Sequence, residues 1–568
     1  MTTIERETSA AVAKLPPGPP FPRAVQGALA LANRRIALQI LRRVYGSAFT
    51  IDLPIFGQLV VISDPNDIRQ LFKTAPHIAD TTETNLGRVM GPNSMFALTG
   101  DRHRAQRKLL TPSFNGRRLS AYEAIIEREA VDEFATWPSD RTFATMPSMM
   151  RITLNVILRA VFGAEGQELE RLREILPPGI RLGSNLALIP VPQWDWGRWS
   201  PWGRFFQYRR DYDAVVEQLI DKALADPGLG ERDDVLALML RTRYDDGSSM
   251  TRAEIADELI TMLAAGHETT ATTLAWAVER LQRHPQLLDR LVADVDAGSE
   301  ELLTATIFEI LRTRPVIDTT FRQVTGPTLQ IGPWTLPQGQ TIVASIGLLH
   351  ADESVLGDAH RFDADRFMSR RPDPVEWIPY GGGVRRCIGA AFATMEIRVV
   401  LRTLLRNYTI SPSNARDEGW QSRGVARRRR AERWCASGAE TLSLGAGDLP
   451  QPSVDPDRRP RGGSDAEGSH SGLYIALGAL VQDSRPGELR WTDVTRLLPP
   501  LVKKNGEVVG DPLNVLGYLP YEQIVQLGGV VVQVVEFARG PRPCHKRSDR
   551  LPGRTVLDVQ REIHEMAW

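Results

Sequence analysis

The sequence predicts a mostly α fold that carries small β-sheets (α+β). Two observations predict it. Across residues 64–313, helix-capping residues and apolar stripes of 3.6-residue period dominate. On either side, residues 49–63 and 315–345 alternate, are rich in β-branched side chains and are interrupted by Gly and Pro, the pattern of short strands.

The elements follow in order. Leu15-Pro-Pro-Gly-Pro-Pro20 is a non-helical lead-in, since proline removes a donor and fixes φ. A basic helical stretch then runs to Tyr45. Residues 49–63 read as a hairpin with its turn at Gly57-Gln58. Asp64-Pro-Asn-Asp67 opens a helix, with Asp64 at the cap. Further helices are predicted over 120–135, 152–162 and 252–282. Gly332, Pro333, Pro337 and Gly339 divide 315–345 into short strands. A last helix is predicted over 387–405. The chain divides into a Pro-rich lead-in (1–20), a main domain (21–425), an Arg/Gly/Pro-rich linker (426–471) and an atypical tail (472–568).

Composition excludes some classes of function. The 568 residues hold 69 basic and 69 acidic side chains, so global charge gives no case for nucleic-acid or membrane binding. Three cysteines, Cys387, Cys435 and Cys544, make no disulfide framework and suit a reducing compartment. The first residues lack the apolar run of a signal peptide or transmembrane anchor. These features predict a soluble, cytoplasmic protein.

Cys387 carries the chemistry. It lies in Tyr380-Gly-Gly-Gly-Val-Arg-Arg-Cys387-Ile-Gly389, a glycine-rich loop leading into a helix. A lone thiol among glycines and arginines, with no other soft ligand near in sequence, suits one metal ion carried by a cofactor. Gly381 and Gly389 let the backbone lie flat against a porphyrin. The helix start is expected to lower the thiol pKa, and Arg385 offers a planar fork to a propionate. A thiolate on haem iron favours O–O cleavage.

Three other motifs stand apart from it. Ala265-Gly-His-Glu-Thr-Thr270 puts a polar cluster into an otherwise apolar helix, which it is expected to weaken locally. An acid beside an alcohol, Glu268 and Thr269, is what proton delivery to bound dioxygen requires. Glu309 and Arg312 lie one turn apart on a helix face, a spacing so common that it assigns no role alone. His103 and Arg107 share a face at i and i+4 and can clamp one anion.

Together these motifs resemble the cytochrome P450 family over residues 15–425, and the soluble, actinobacterial-type members most. The resemblance implies the triangular-prism P450 fold and a haem-thiolate monooxygenase. Cys387 would ligate iron, with Tyr380, Gly381, Arg385 and Gly389 around haem b (iron protoporphyrin IX). His103, Arg107 and Arg322 would reach its propionates. Arg366 would join Glu309 and Arg312 in a structural triad. One departure is Tyr380 where the family usually has Phe, and its hydroxyl needs a partner. O2 would be co-substrate. Electrons would come from NAD(P)H only indirectly, through a ferredoxin and ferredoxin reductase. The protein would be a monomer without nucleic-acid partners. A peroxide-driven oxygenase and a non-catalytic haem protein are the rival readings.

Residues 86–98, with Met262, Ala265, Val316, Ile317 and Thr319, are expected to line a pocket for a lipophilic small molecule. Residues 189–206, rich in Trp, are expected near a mobile lid, to guard entry, to touch a membrane surface or simply to pack. Beyond 425 the character changes to an arginine run and loop-like composition. Trp434 has a single codon, and a one-base shift across Arg433-Trp434-Cys435 brings a valine codon into frame. The tail therefore reads as the product of a frameshift, with a fused module or a disordered extension as alternatives.

Overall fold

The computed structural model describes residues 13–81, 85–114, 116, 118–138, 143–187 and 192–412, and beyond them only the backbone of a few short strands.

The proline-rich lead-in is tied down. Thr50 donates to the carbonyls of Pro16 and Pro17, and a Cβ at Gly18 would overlap the Thr50 carbonyl. α1 (Arg23–Tyr45) follows, interrupted at the non-helical Asn33. The hairpin is β1 (Ala48–Leu53) with β2 (Gly57–Ile62). Its turn lies at 54–56, three residues before the position predicted from Gly57. Pro54 has no N–H to extend the ladder and Ile55 takes φ 73°, so Gly57 already pairs with Leu53. α2 (Pro65–Lys73) starts where Asp64 accepts from the amides of Asn66 and Asp67.

A short strand β3 (Ala79–Asp80) leads to α3 (Asn85–Met90) and α4 (Gly100–Leu110). The helical body is α5 (Arg118–Phe134), α6 (Thr145–Ala160), α7 (Gly166–Leu186), α8 (Pro201–Ala225) and α9 (Val235–Arg241). It continues through α10 (Arg252–Arg283), α11 (Pro285–Asp296) and α12 (Glu301–Thr313). Then come β4 (Thr319–Val324), β5 (Thr328–Ile331), β6 (Trp334–Pro337) and β7 (Thr341–Ser345). Two single turns, α13 (Ile346–Leu349) and α14 (Glu353–Leu356), precede the cysteine loop and α15 (Ala390–Asn407). One sheet has the order β1-β2-β7-β4-β3, antiparallel except for β2 with β7, and β5 pairs with β6.

α10 is the axis of the core. A capping box between Thr251 and Glu254 starts it, and most of its residues are buried on every side, as a helix through the middle of a large core must be. The weakening expected at 265–270 does not break it: the helix runs continuously through that turn. α15 begins at Ala390, so Cys387 precedes the helix rather than opening it.

The backbone of β8 (Trp420–Arg423) pairs with β9 (Ala426–Arg429). Residues 453–568 form a separate unit. Within it, β10 (Lys503–Lys504) pairs with β11 (Glu507–Val508), and β12 (Val525–Leu527) with β13 (Val530–Val532). Apart from these strands, the predicted linker and the tail, expected to be a frameshift product, a fused module or a disordered extension, lie outside the described residues.

Candidate active site

The cysteine loop is fixed from both sides. The Cys387 N–H donates to the Tyr380 carbonyl at 2.9 Å, which closes the loop on itself. Gly381 and Gly383 take φ of 65° and 63°, a region that favours glycine. A Cβ at Gly382 would overlap the Phe72 ring, so the loop packs directly on the end of α2. Nothing would meet a Cβ at Gly381 or Gly389 within 4 Å. The Tyr380 hydroxyl has its partner: it lies 2.8 Å from Thr394 Oγ1, whose own proton goes to the Ala390 carbonyl.

Cys387 is exposed, yet burial is the leading influence on its thiol and pushes it up; the Gly389 amide, Arg107 and Arg386 offset this only in part. The expected lowering of its pKa is overturned, because desolvation outweighs the helix start. A metal, rather than the loop, would have to hold the sulfur as a thiolate.

Cations gather beside the thiol. Burial pushes His103 down to about 4, helped by Arg385 and Arg107. Arg322 is lowered to about 10 by burial and by Arg385. Arg107 is also lowered, by burial first, while Cys387 acts to raise it. Arg322 donates to the Phe321 and Gly382 carbonyls at 2.7 and 3.2 Å. Arg385 is engaged differently from the sequence expectation. Its fork grips Asp80 at 2.8 and 3.0 Å and reaches the Met95 and Leu98 carbonyls at 3.0 and 2.8 Å. Burial alone would raise the Asp80 carboxyl; the Gly100 and Thr81 amides and Arg385 outweigh it and hold it below its usual range.

In α10, Ala265 is exposed although Leu263 and Ala271 on either side are fully buried. Thr269 Oγ1 donates to the Ala265 carbonyl at 2.6 Å, and Thr272 and Thr273 repeat this bond to the carbonyls of Glu268 and Thr269. Glu268 is half-buried beside Thr269. Ala264, one residue before, packs on an apolar cluster of Val89, Met90, Leu186, Trp202 and Phe205. The Trp-rich segment thus divides: Trp202 and Phe205 pack inward, whereas Trp194, Trp196 and Trp199 are exposed.

Far along the chain from these, Glu309 and Arg312 form a buried bidentate pair at 2.6 and 2.7 Å. Arg366 Nε lies 3.7 Å from Glu309 Oε2 and its Nη1 donates to the carbonyls of Leu356 and Gly357. Arg312 also donates to the carbonyls of His350, Ala359 and Arg361, which joins α12 to the segment before the cysteine loop.

The cytochrome P450 family model matches residues 16–429 of this chain. The chain belongs to the cytochrome P450 family. It is 50% identical to cytochrome P450 138 of Mycobacterium tuberculosis over 415 residues, covering 73% of this chain and 94% of the relative. With cytochrome P450 135B1 of the same species the identity is 37% over 452 residues, covering 76% and 95%. Among solved structures, the retinoic-acid-bound cyanobacterial CYP120A1 aligns with a TM-score of 0.62 at 23% identity, covering 73% of this chain and 98% of that one. CYP102L1 aligns with a TM-score of 0.61 at 22% identity, covering 70% and 97%. These two show the fold. This P450 is therefore a monooxygenase-type oxidoreductase that uses haem iron and O2.

The residues present fit haem. A soft donor, Cys387, is exposed, the open space at Gly381 and Gly389 leaves room for a flat ring, and Arg107, Arg322 and Arg385 lie near enough to perturb one another. Sequence reasoning missed Asp80, Phe72 and Thr394 in this P450. Only Thr394 left a signal, in that the Tyr380 hydroxyl needs a partner. No helix among the described residues is long and apolar enough to cross a membrane.

Proposed function

We propose that this P450 inserts one oxygen atom of O2 into a lipophilic small molecule. Haem b would be its cofactor, and electrons would pass from NAD(P)H through a separate ferredoxin reductase and ferredoxin. The observation that carries this reading is the exposed Cys387 thiol beside the cationic side chains of Arg107 and Arg386.

Haem held by a thiolate supplies an iron centre that binds O2 and favours cleavage of its O–O bond. Cys387 is the ligand in this proposal. Arg107, His103 and Arg322 hold the propionates. Thr269 spends its proton on the Ala265 carbonyl, which leaves its lone pairs to accept from a water molecule and hold it for proton transfer. Glu268 is the acid that replenishes the proton. Glu309, Arg312 and Arg366 keep the cysteine loop in place and take no part in chemistry. The apolar cluster against Ala264 supports a lipophilic substrate, since burying apolar surface there is worth about 25 cal/mol per Å². Exposed Arg386 marks the face on which a ferredoxin would dock.

The test is reconstitution of the full-length protein with a ferredoxin, its reductase and NADPH under isotopically labelled O2. Compounds for the assay are first selected by a substrate-induced spin shift. The proposal expects one labelled oxygen in the product, and Thr269→Ala to consume reductant while losing product. A product without label contradicts the monooxygenase reading, and equal coupling in the variant removes Thr269 from proton delivery.

A further inference from the structure

Asp80 lies outside every motif, yet four segments meet on it. It is buried in β3 and pairs with Gln323 of β4, the residue next to Arg322. Its Oδ2 accepts from the Gly100 N–H at 3.0 Å, at the start of α4, the helix that presents His103 and Arg107. Its Oδ1 accepts from the Thr81 N–H at 2.7 Å and from both Nε and Nη2 of Arg385. Arg385 spends its remaining bonds on the Met95 and Leu98 carbonyls. Of five guanidinium N–H groups, one on Nη1 is left without a protein partner among these bonds.

We propose that Asp80 is a positioning residue for haem retention: it turns Arg385 into a clamp between the cysteine loop and the Met95–Leu98 segment, and sets the start of α4. The propionate-holding role then falls on Arg107, His103 and Arg322, with Arg385 contributing through what it fastens. This rests on the haem reading above. It goes beyond it because the family signature assigns the arginine of this loop to the cofactor, whereas here the carboxylate of β3 holds it.

A carboxylate beside Arg322 and Arg385 offsets the repulsion between these two guanidinium groups. Two guanidinium N–H groups that converge on the one Oδ1 also fix direction, which a single point charge does not.

The experiment measures transfer of haem from full-length holoprotein to excess apomyoglobin, together with the ferric/ferrous midpoint potential. Asp80→Asn keeps an acceptor for Gly100 but removes the charge. It is expected to lose haem about tenfold faster, the equivalent of one charge-assisted hydrogen bond, and to shift the potential upward because the Arg385 cation of the cysteine loop is no longer offset. Asp80→Glu is expected to recover part of both, and it keeps the test readable if Asp80→Asn does not fold. Because Asp80 acts through Arg385, Asp80→Asn combined with Arg385→Gln is expected to lose haem no faster than Arg385→Gln alone. Wild-type haem loss and potential in Asp80→Asn, or additive losses in the double variant, overturn the proposal. Failure of the haem-thiolate reading is distinguishable, since the wild-type holoprotein itself would then lack a thiolate-type ferrous–CO spectrum.

Discussion

The Tyr380 hydroxyl sits 2.8 Å from Thr394 Oγ1, across the turn that joins the cysteine loop to α15. Thr394 gives its proton to the Ala390 carbonyl, so Tyr380 is the donor of the pair. Thr394→Val therefore strands a half-buried phenol and is expected to cost about 1 kcal/mol. Tyr380→Phe leaves Thr394 still bonded to Ala390 and is expected to be near neutral. The double variant should recover most of the loss. Denaturant unfolding of the four proteins checks this, and additive losses would show that the bond is not what stabilises the turn.

Glu258 of α10 is fully buried, and it accepts from the Met95 amide and from Gln106. Burial pushes its carboxyl up to about 7, against the pull of those two donors. The sign follows from linkage. Between about pH 4.5 and about 7 the unfolded chain gives up a proton that the folded chain keeps, so stability falls with rising pH across that window and levels off above it. The size is on the order of 3 kcal/mol. His103, held down at about 4, contributes the opposite slope, so the comparison with Glu258→Gln isolates the effect. Relative to that variant, the wild type should lose stability from pH 5 to pH 8. A difference independent of pH would contradict the assignment.

Gly382 has extended backbone, φ −160°, so its need for glycine is steric and not conformational. Its missing Cβ is the space taken by the Phe72 ring. Gly382→Ala is expected to destabilise the holoprotein by about 1–3 kcal/mol, the usual cost of overpacking. Adding Phe72→Leu should return part of that. Thermal unfolding checks it, and no recovery in the pair would mean that the loop is held by something other than this contact.

What the sequence made legible was local. The cysteine loop, the Glu268–Thr269 neighbours and the Glu309–Arg312 pair are set by spacings of one to ten residues. Asp80 and Arg385 are 305 residues apart, and no period or cap in either segment points at the other. Phe72 looks like any apolar residue of a short helix until Gly382 is seen against it. The hairpin turn was misplaced because Gly57 does take positive φ, while Ile55 takes it too and Pro54 ends the pairing earlier. The direction of the Cys387 shift was misjudged for a similar reason: a helix start is visible in sequence, whereas the extent of burial is decided by the whole fold.

The most direct measurement is the ferrous–CO difference spectrum of the purified full-length protein beside its Cys387→Ala variant. The account expects a red-shifted Soret band, the mark of a thiolate ligand, in the wild type and its loss in the variant. A wild type without that band, or a variant that keeps it, would contradict Cys387 as the ligand.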